Sequence, residues 1–359
     1  MTERPILGLQ LLAVSRFVVL GSALGSVFGY LNYLIIGQQQ PETTIGWGVI
    51  AGFMIGATVG CIEVFVFFGR MRRASYVRLS VLRTLVYSAT FVTWLTVGNA
   101  FRVAEARDVG LLDAAAFYVL GEDRFIRDFL FTVTTAIIFI WILQAAQLQR
   151  GRDVFNFVLG KYHRPQEVES VFLFVDLTSS TTMAERLGHL TYSAFLQDFF
   201  YDVNMAVLVT RGGIYQYVGD EVIVTWPLAL GTDKARCVEC FFAILDRVEA
   251  NKKHYLEQYG LYPRFRGGLH GGPAVVTWVG EIKKEIVYHG DVLNTAARIQ
   301  AEAKGGPYEC LISGELLGQM KLPEQFAAEP VGEVELRGKE DPLPLFGLAR
   351  RGRPPTQHL

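Results

Sequence analysis

Long apolar runs dominate the first 150 residues, and shorter strand- and helix-length apolar patterns make up the rest. The long runs lie at Leu12–Ile36, Ile45–Phe68, Val81–Phe101 and Phe129–Ala146. Each reaches, or nearly reaches, the roughly 20 residues with which an α-helix crosses a bilayer. The pattern therefore predicts a lipid-embedded domain of four transmembrane helices over residues 1–147. The first run lacks a small-residue cleavage site, which separates it from a signal peptide.

Arginine placement orients these helices. Arg70, Arg72, Arg73 and Arg78 crowd the connection between the second and third runs, with Arg83 just inside the third. "GQQQPETT", between the first and second runs, holds no Lys or Arg, and Arg150 and Arg152 follow the fourth run. The positive-inside rule then predicts a multi-pass protein of the plasma membrane with both termini in the cytoplasm. Gly21, Gly25 and Gly29 recur every fourth residue in the first run, as Gly48, Gly52, Gly56 and Gly60 do in the second. Each ladder lines one helix face and permits close backbone approach, either between these two helices or along a dimer seam. Glu63 is an ionisable group inside a run. It is a functional candidate by default, and Arg16 and Arg83 are its candidate structural partners.

The stretch Leu148–Glu167 reads as a linker that continues as a helix over 148–165 and ends at Pro165. A folded domain is then expected over 166–350, with a disordered tail at 351–359. "VFLFVDLTSSTT" reads as a buried strand with Asp176 where it gives out, followed by a hydroxyl-rich helix start. Backbone N–H groups at such a start form a natural phosphate cradle. Phe195, Phe199, Val203 and Val207 then mark one face of a helix. "IYQYV" and "EVIVTW" are strands around Gly219-Asp220, a two-residue hairpin turn with glycine first, so Asp220 projects from a hairpin tip. "FRGGLHGGPAVVTWVGEI" reads as a second, glycine-interrupted strand pair. "KKEIVYHGDVLNTAARIQAEA" reads as strand, turn and helix, with Asn294 and Arg298 one turn apart on one face.

Length and composition add bounds. The 359 residues allow two or three domains, and 51% are hydrophobic, the excess falling in the first half. A net charge of −1 gives no whole-chain case for nucleic-acid binding. Cys61, Cys237, Cys240 and Cys310 make no second Cys pair for a zinc site, and read as buried thiols in a reducing compartment.

An aspartate closing a first strand, a hairpin Gly-Asp further on and an Asn-x-x-x-Arg helix together resemble the class III nucleotide cyclase catalytic domain, over roughly Arg164–Ala349. The resemblance implies an α+β domain with a ferredoxin-like βαββαβ core, helices packed on a largely antiparallel sheet. It implies two Mg²⁺ or Mn²⁺ ions per site, held through Asp176, Leu177 and Asp220. It places Thr178, Ser179, Ser180 and Thr181 at the nucleotide, Asn294 on the ribose, Arg298 on the α-phosphate and Arg337 on the triphosphate. The base contacts map onto Gln216, where adenylate cyclases of the family carry lysine, and Val287, where they carry Asp or Thr. Glu285 lies two residues earlier and would replace Val287 only in a shifted register. The implied activity is conversion of ATP to 3′,5′-cyclic AMP by a homodimer, with no nucleic-acid partner. A guanylate cyclase using GTP and a non-catalytic membrane sensor are the alternatives.

Overall fold

The computed structural model describes residues 3–36, 41–67, 76–121, parts of 125–137, 165–280, 285–334 and 342–351. The chain divides into two compact units, Met1–Val154 and Phe155–Leu359. The linker up to residue 164, the 351–359 tail after Arg351, Arg70, Arg72, Arg73, Arg337 and most of the fourth apolar run lie outside the described residues.

In the first unit α1 (Glu3–Ile36) and α2 (Pro41–Cys61) are joined in sequence by a short connection, and α2 runs on into one π-helical segment, Ile62–Phe67. Then come α3 (Tyr76–Arg107) and the shorter α4 (Leu111–Gly121). Among the described residues three segments are long and apolar enough to cross a membrane: Gln10–Leu31, Ile45–Phe67 and Arg78–Glu105. Their outward side chains, such as Leu12, Val19, Ile50 and Leu85, are exposed.

The glycine ladders of α1 and α2 face each other within one chain. A Cβ added to Gly21 would lie 3.0 Å from the Gly56 Cα, and one added to Gly25 would lie 3.0 Å from the Gly52 Cα. Only glycine permits backbones to touch in this way, so the ladders serve intramolecular packing. Glu63 sits in the π-helical segment, where Arg83 Nη2 donates to its Oε1 at 2.7 Å and the Tyr87 hydroxyl donates to its other oxygen. Arg83, not Arg16, is the partner, and both charges of the pair are nearly buried. Cys61 is exposed on α2, whereas Cys237, Cys240 and Cys310 are buried as expected. Burial pushes the thiols of Cys237 and Cys240 up to about 12, so both stay protonated and unreactive.

The second unit opens with β1 (Gln166–Leu177), α5 (Ser180–Leu187) and α6 (His189–Val209). β2 (Gly213–Val218) and β3 (Glu221–Pro227) form the hairpin. A short α7 (Leu228–Thr232), α8 (Arg236–Ala250) and α9 (Lys252–Tyr259) lead to β4 (Phe265–Val279) and β5 (Glu285–His289). α10 (Asp291–Glu302), β6 (Cys310–Ser313), α11 (Gly314–Leu317), β7 (Phe326–Val334) and β8 (Leu343–Arg350) complete it. The sheet runs β2-β3-β1-β4-β6-β8-β7, with β5 added against β4. Its first four strands, in the order β2-β3-β1-β4 and all antiparallel, make the expected ferredoxin-like core. The β4–β6 pair is parallel, so the whole sheet is mixed.

β1 is buried on both faces from Ser170 onwards, which explains its near-continuous apolar run. Val171, Leu173 and Val175 join Phe195 and Phe199 of α6 and Phe241 of α8 in the main core. Phe172 and Phe174 join Val292 and Ala296 of α10 in a second core on the opposite face. The expectation of a strand pair within "FRGGLHGGPAVVTWVGEI" is corrected here: Phe265–Val279 is a single strand. Its glycines mark helix contact rather than turns. A Cβ on Gly267 would meet the Phe241 ring of α8 at 2.6 Å, and one on Gly268 would meet the α10 backbone at 2.7 Å. Two adjacent glycines thus admit a helix against each face of one strand.

Candidate active site

Sheet register brings the acidic residues together. Asp176 on β1 pairs directly with Glu221 on β3, and the hairpin makes Asp220 the neighbour of Glu221. Gly219 supplies the turn with φ 62°, a conformation that costs glycine nothing. Strand alternation fixes the direction of these side chains. Phe172, Phe174 and Ile223 face α10, so Asp176 and Glu221, each two residues along its own strand from one of these, face that side too. Burial, then the charges of Asp176 and Asp220, raise the Glu221 carboxyl to about 7, against a lowering by Lys304. Three acids within mutual electrostatic reach form a strongly negative centre.

Asp176 is nearly buried, and its partners come from α10 and from the 3-10 turn Ala303–Gly305 that follows it. Gln300 Nε2 donates to Asp176 Oδ2 at 3.2 Å, and Lys304 Nζ lies 2.6 Å from the same oxygen. Arg266 is the β4 residue paired with Asp176 in register. Its Nη1 donates to the carbonyls of Gly306 at 2.9 Å and Tyr308 at 2.6 Å, which pins the segment that follows α10. Tyr192 of α6 completes the surroundings. Burial and then Asp220 push its phenol above the ordinary value, while a bond with the Ser180 side chain pulls it down.

Beyond Asp176 the chain turns through Thr178 and Ser179. Thr178 N–H donates to the Arg264 carbonyl at 2.8 Å. Ser179 adopts the left-handed conformation with φ 61° and makes no side-chain cap, and α5 begins at Ser180 followed by Thr181. Leu177 has its side chain in the main core, so only its backbone is free to face the acids.

Asn294 and Arg298 sit on α10 as expected, Asn294 exposed and Arg298 half-buried. Among the described residues neither makes a hydrogen bond or ion pair with Asp176 or Asp220. One chain thus brings the acids together without delivering Asn294 and Arg298 to them. Gln216 is exposed on β2 just past an irregularity at Tyr215, and Val287 is half-buried on β5 opposite Thr277. Glu285 pairs with Val279, two positions from Val287 on the same strand. Tyr215 and Tyr288, the neighbours of Gln216 and Val287, touch edge-on at 5.1 Å, and Tyr288 N–H donates to the Tyr215 hydroxyl at 3.3 Å. That contact ties the β2 and β5 segments into one wall.

Gln300, Lys304, Glu221 and Tyr192 escape a reading by motif. Gln300 carried a usable signal: a long polar side chain on the buried stripe of α10, beside Val292, Thr295, Ala296 and Ile299. The donor set suits a hard divalent cation, which takes carboxylate and carbonyl oxygens and completes its shell with water or phosphate. No cage of three or more acidic, His or Cys ligands occurs among the described residues, so a bound ion would need such outside ligands.

Residues 163–347 match the family model of the adenylate and guanylate cyclase catalytic domain. The chain is 38% identical over 210 residues to "Adenylate cyclase 2" of Rhizobium meliloti (strain 1021), covering 58% of this chain and 58% of that protein. It is 29% identical over 187 residues to "Adenylate cyclase 1" of the same organism, covering 50% of this chain and 27% of the relative. Of each relative, then, the match spans little more than half or about a quarter. A bacterial light-regulated adenylyl cyclase of known structure shares the fold, with TM-score 0.51 at 16% identity over 62% of this chain and 66% of that one.

Proposed function

The chain belongs to the adenylate and guanylate cyclase catalytic-domain family, and from that premise we propose that it is a membrane-anchored adenylate cyclase, active as a homodimer. The observation that carries the reading is the meeting of Asp176 with the Gly219-Asp220 hairpin tip on neighbouring strands. Asp176, Asp220 and the Leu177 carbonyl would hold two Mg²⁺ or Mn²⁺ ions. When bound, the metal supplies charge neutralisation at the triphosphate and eases deprotonation of the ribose 3′-hydroxyl.

The protein's own groups position the rest. The turn Thr178–Thr181 offers hydroxyls and backbone N–H groups to phosphate oxygens. Asn294 orients the ribose so that its 3′-oxygen lies in line with the bond from the α-phosphorus to the pyrophosphate. Arg298 places a planar fork on the α-phosphate, where charge develops as that bond breaks, and Arg337 adds a contact to the triphosphate. The 3′-oxygen bonds to the α-phosphorus, the hydroxyl proton leaves, and pyrophosphate departs. Such a transfer relies on positioning and electrostatics rather than on covalent chemistry by the protein.

Within one chain Asn294 and Arg298 do not reach the acids, which supports a site shared between two copies. Gln216 offers one acceptor and two donors to a purine, with Val287 packing beside it. The relative at 38% identity, named an adenylate cyclase, favours adenine. Guanine is the second reading, because neither Gln216 nor Val287 is the usual adenine contact. The apolar helices anchor the chain, and the arginine distribution supports a cytoplasmic catalytic domain.

The test incubates the full chain in micelles with Mn²⁺ and either ATP or GTP and identifies the product by mass. Cyclic AMP from ATP, lost at least a hundredfold in a folded Asp220→Ala variant, is the expected result. Cyclic GMP alone would reverse the base assignment. No cyclic product from either nucleotide would turn the reading towards a non-catalytic sensor.

A further inference from the structure

Asp176 is read above as a metal-holding acid, yet its Oδ2 already has two partners, one from the last turn of α10 and one from the 3-10 turn after it. Gln300 donates to it at 3.2 Å, and the ammonium of Lys304 stands 2.6 Å away. Gln300 lies in the last turn of α10 and Lys304 in the 3-10 turn Ala303–Gly305 that follows it, so the helix end and the turn after it deliver the two partners. We propose that Lys304 is a tethered cation that occupies Asp176 in the metal-free chain and competes with the divalent ion for it. The inference rests on the reading of Asp176 and Asp220 as the metal-holding acids.

The ion pair is lopsided in a way that suits exchange. The side chain of Asp176 is 12% exposed and that of Lys304 is 56% exposed. The anion is therefore fixed and desolvated, while the cation sits at the rim on a flexible four-carbon stem. Release returns the ammonium to water at little cost, since more than half of the Lys304 side chain is already exposed. A structural pair built into the core would bury both ends.

Backbone anchoring makes the placement a property of the fold. Arg266 holds the carbonyls of Gly306 and Tyr308, immediately after Lys304. Gln300, one turn before, holds the same Asp176 oxygen. The lysine is thus tethered on both sides of its own position.

Charge gives the device a purpose. Asp176, Asp220 and Glu221 repel one another when ionised, and each of the three acts on Lys304 with the sign that keeps it protonated. Among the described residues Lys304 is the cation paired with Asp176. A hard divalent ion needs the same carboxylate oxygen within its first shell. An ammonium in contact with that oxygen and a divalent ion bound to it would stand only a few ångströms apart, at a repulsion that favours one occupant. Ion entry is therefore coupled to lysine exit, which raises the metal concentration at which the site fills.

The test measures Mn²⁺ binding to the full chain in micelles without nucleotide, by the electron paramagnetic resonance signal of free Mn²⁺. Lys304→Met removes the competing charge and keeps the stem, and is expected to bind Mn²⁺ about two- to fivefold more tightly, the upper part of the range for losing an exposed charge contact. Lys304→Arg keeps the charge and is expected to stay near the wild-type affinity, and Asp176→Asn to abolish the site in either background. Should Lys304→Met fold poorly, Lys304→Gln answers the same question. Equal or weaker Mn²⁺ binding in the folded neutral variant would overturn the competition and leave the proposed function standing. No Mn²⁺ binding to wild type or variant, or binding indifferent to Asp176→Asn, would remove the metal reading and the inference with it.

Discussion

Replacing Gly268 by alanine puts a methyl group into the narrowest contact between the sheet and α10. The new Cβ would lie 2.7 Å from the Ala296 carbonyl oxygen and 2.7 Å from the Gln300 Cα, and closer still to the Gln300 amide nitrogen. All three are backbone atoms, so no side chain can swing aside. To reach ordinary contact at 3.4 Å the helix must withdraw by at least 0.7 Å. Overpacking of this kind costs about 1–3 kcal/mol. For a domain of this size that lowers the melting midpoint by about 2–4 °C per kcal/mol, or about 2–12 °C. The functional cost is larger, because α10 carries Asn294 and Arg298 on one side and holds Gln300 against Asp176 on the other. A displacement approaching 1 Å in positioning groups costs about a hundredfold in rate. Gly272→Ala on the same strand is the control, since its Cβ would meet only the Val292 side chain at 3.8 Å. There the loss of unfolded-state freedom is expected to leave stability equal or slightly raised. Circular dichroism melts and cyclic nucleotide formation by the two variants decide the matter. If Gly268→Ala melts and turns over like Gly272→Ala, the close approach of α10 to β4 is not what positions the site.

Two further outcomes follow from the packing and the charges. Gly52→Ala would set a Cβ 2.8 Å from the Gly21 carbonyl carbon and 3.0 Å from the Gly25 Cα, forcing α1 and α2 apart, whereas Gly46→Ala meets nothing within 4 Å; thermal unfolding in micelles should show Gly52→Ala about 1–3 kcal/mol less stable, and matched melting of the two would sink the ladder contact. The Glu221 carboxyl titrates near 7 in the folded chain against an ordinary 4.5. Between those values the folded state keeps a proton that the unfolded state has lost, so metal-free stability falls as pH rises through this window and levels off above it. Asp176, Asp220 and Lys304 face this carboxyl and set its charge environment. Glu221→Gln should flatten that decline in melts taken from pH 5 to pH 8, and an unchanged slope would remove Glu221 as its source.

Much of this protein was legible locally. Runs long enough for a bilayer, the i, i+4 glycine ladders and the strand that ends at Asp176 all rest on short-range periodicity, as does the glycine-first hairpin turn. So does the helix that pairs Asn294 with Arg298. Such features survive into the fold because backbone sterics and helix or strand period act within a few residues. "FRGGLHGG" misled for the same reason. Glycine read locally signals a turn, but here two helices press on one strand from opposite faces and need the space.

Which charges meet was settled elsewhere in the fold. Asp176 and Gln300 are 124 residues apart in sequence, and no local pattern relates them. Glu221 became the partner of Asp176 only through the β1–β3 register, and Lys304 meets it from the segment after α10, which Arg266 holds through the Gly306 and Tyr308 carbonyls. Arg83 rather than Arg16 met Glu63 through the packing of α3 against the π-helical end of α2. The sequence by itself determined the elements, the apolar helices and the family motif, because these depend on neighbours along the chain. The tertiary structure alone decided the electrostatics of the site, because Coulomb interactions act through space and depend on which faces the core brings together.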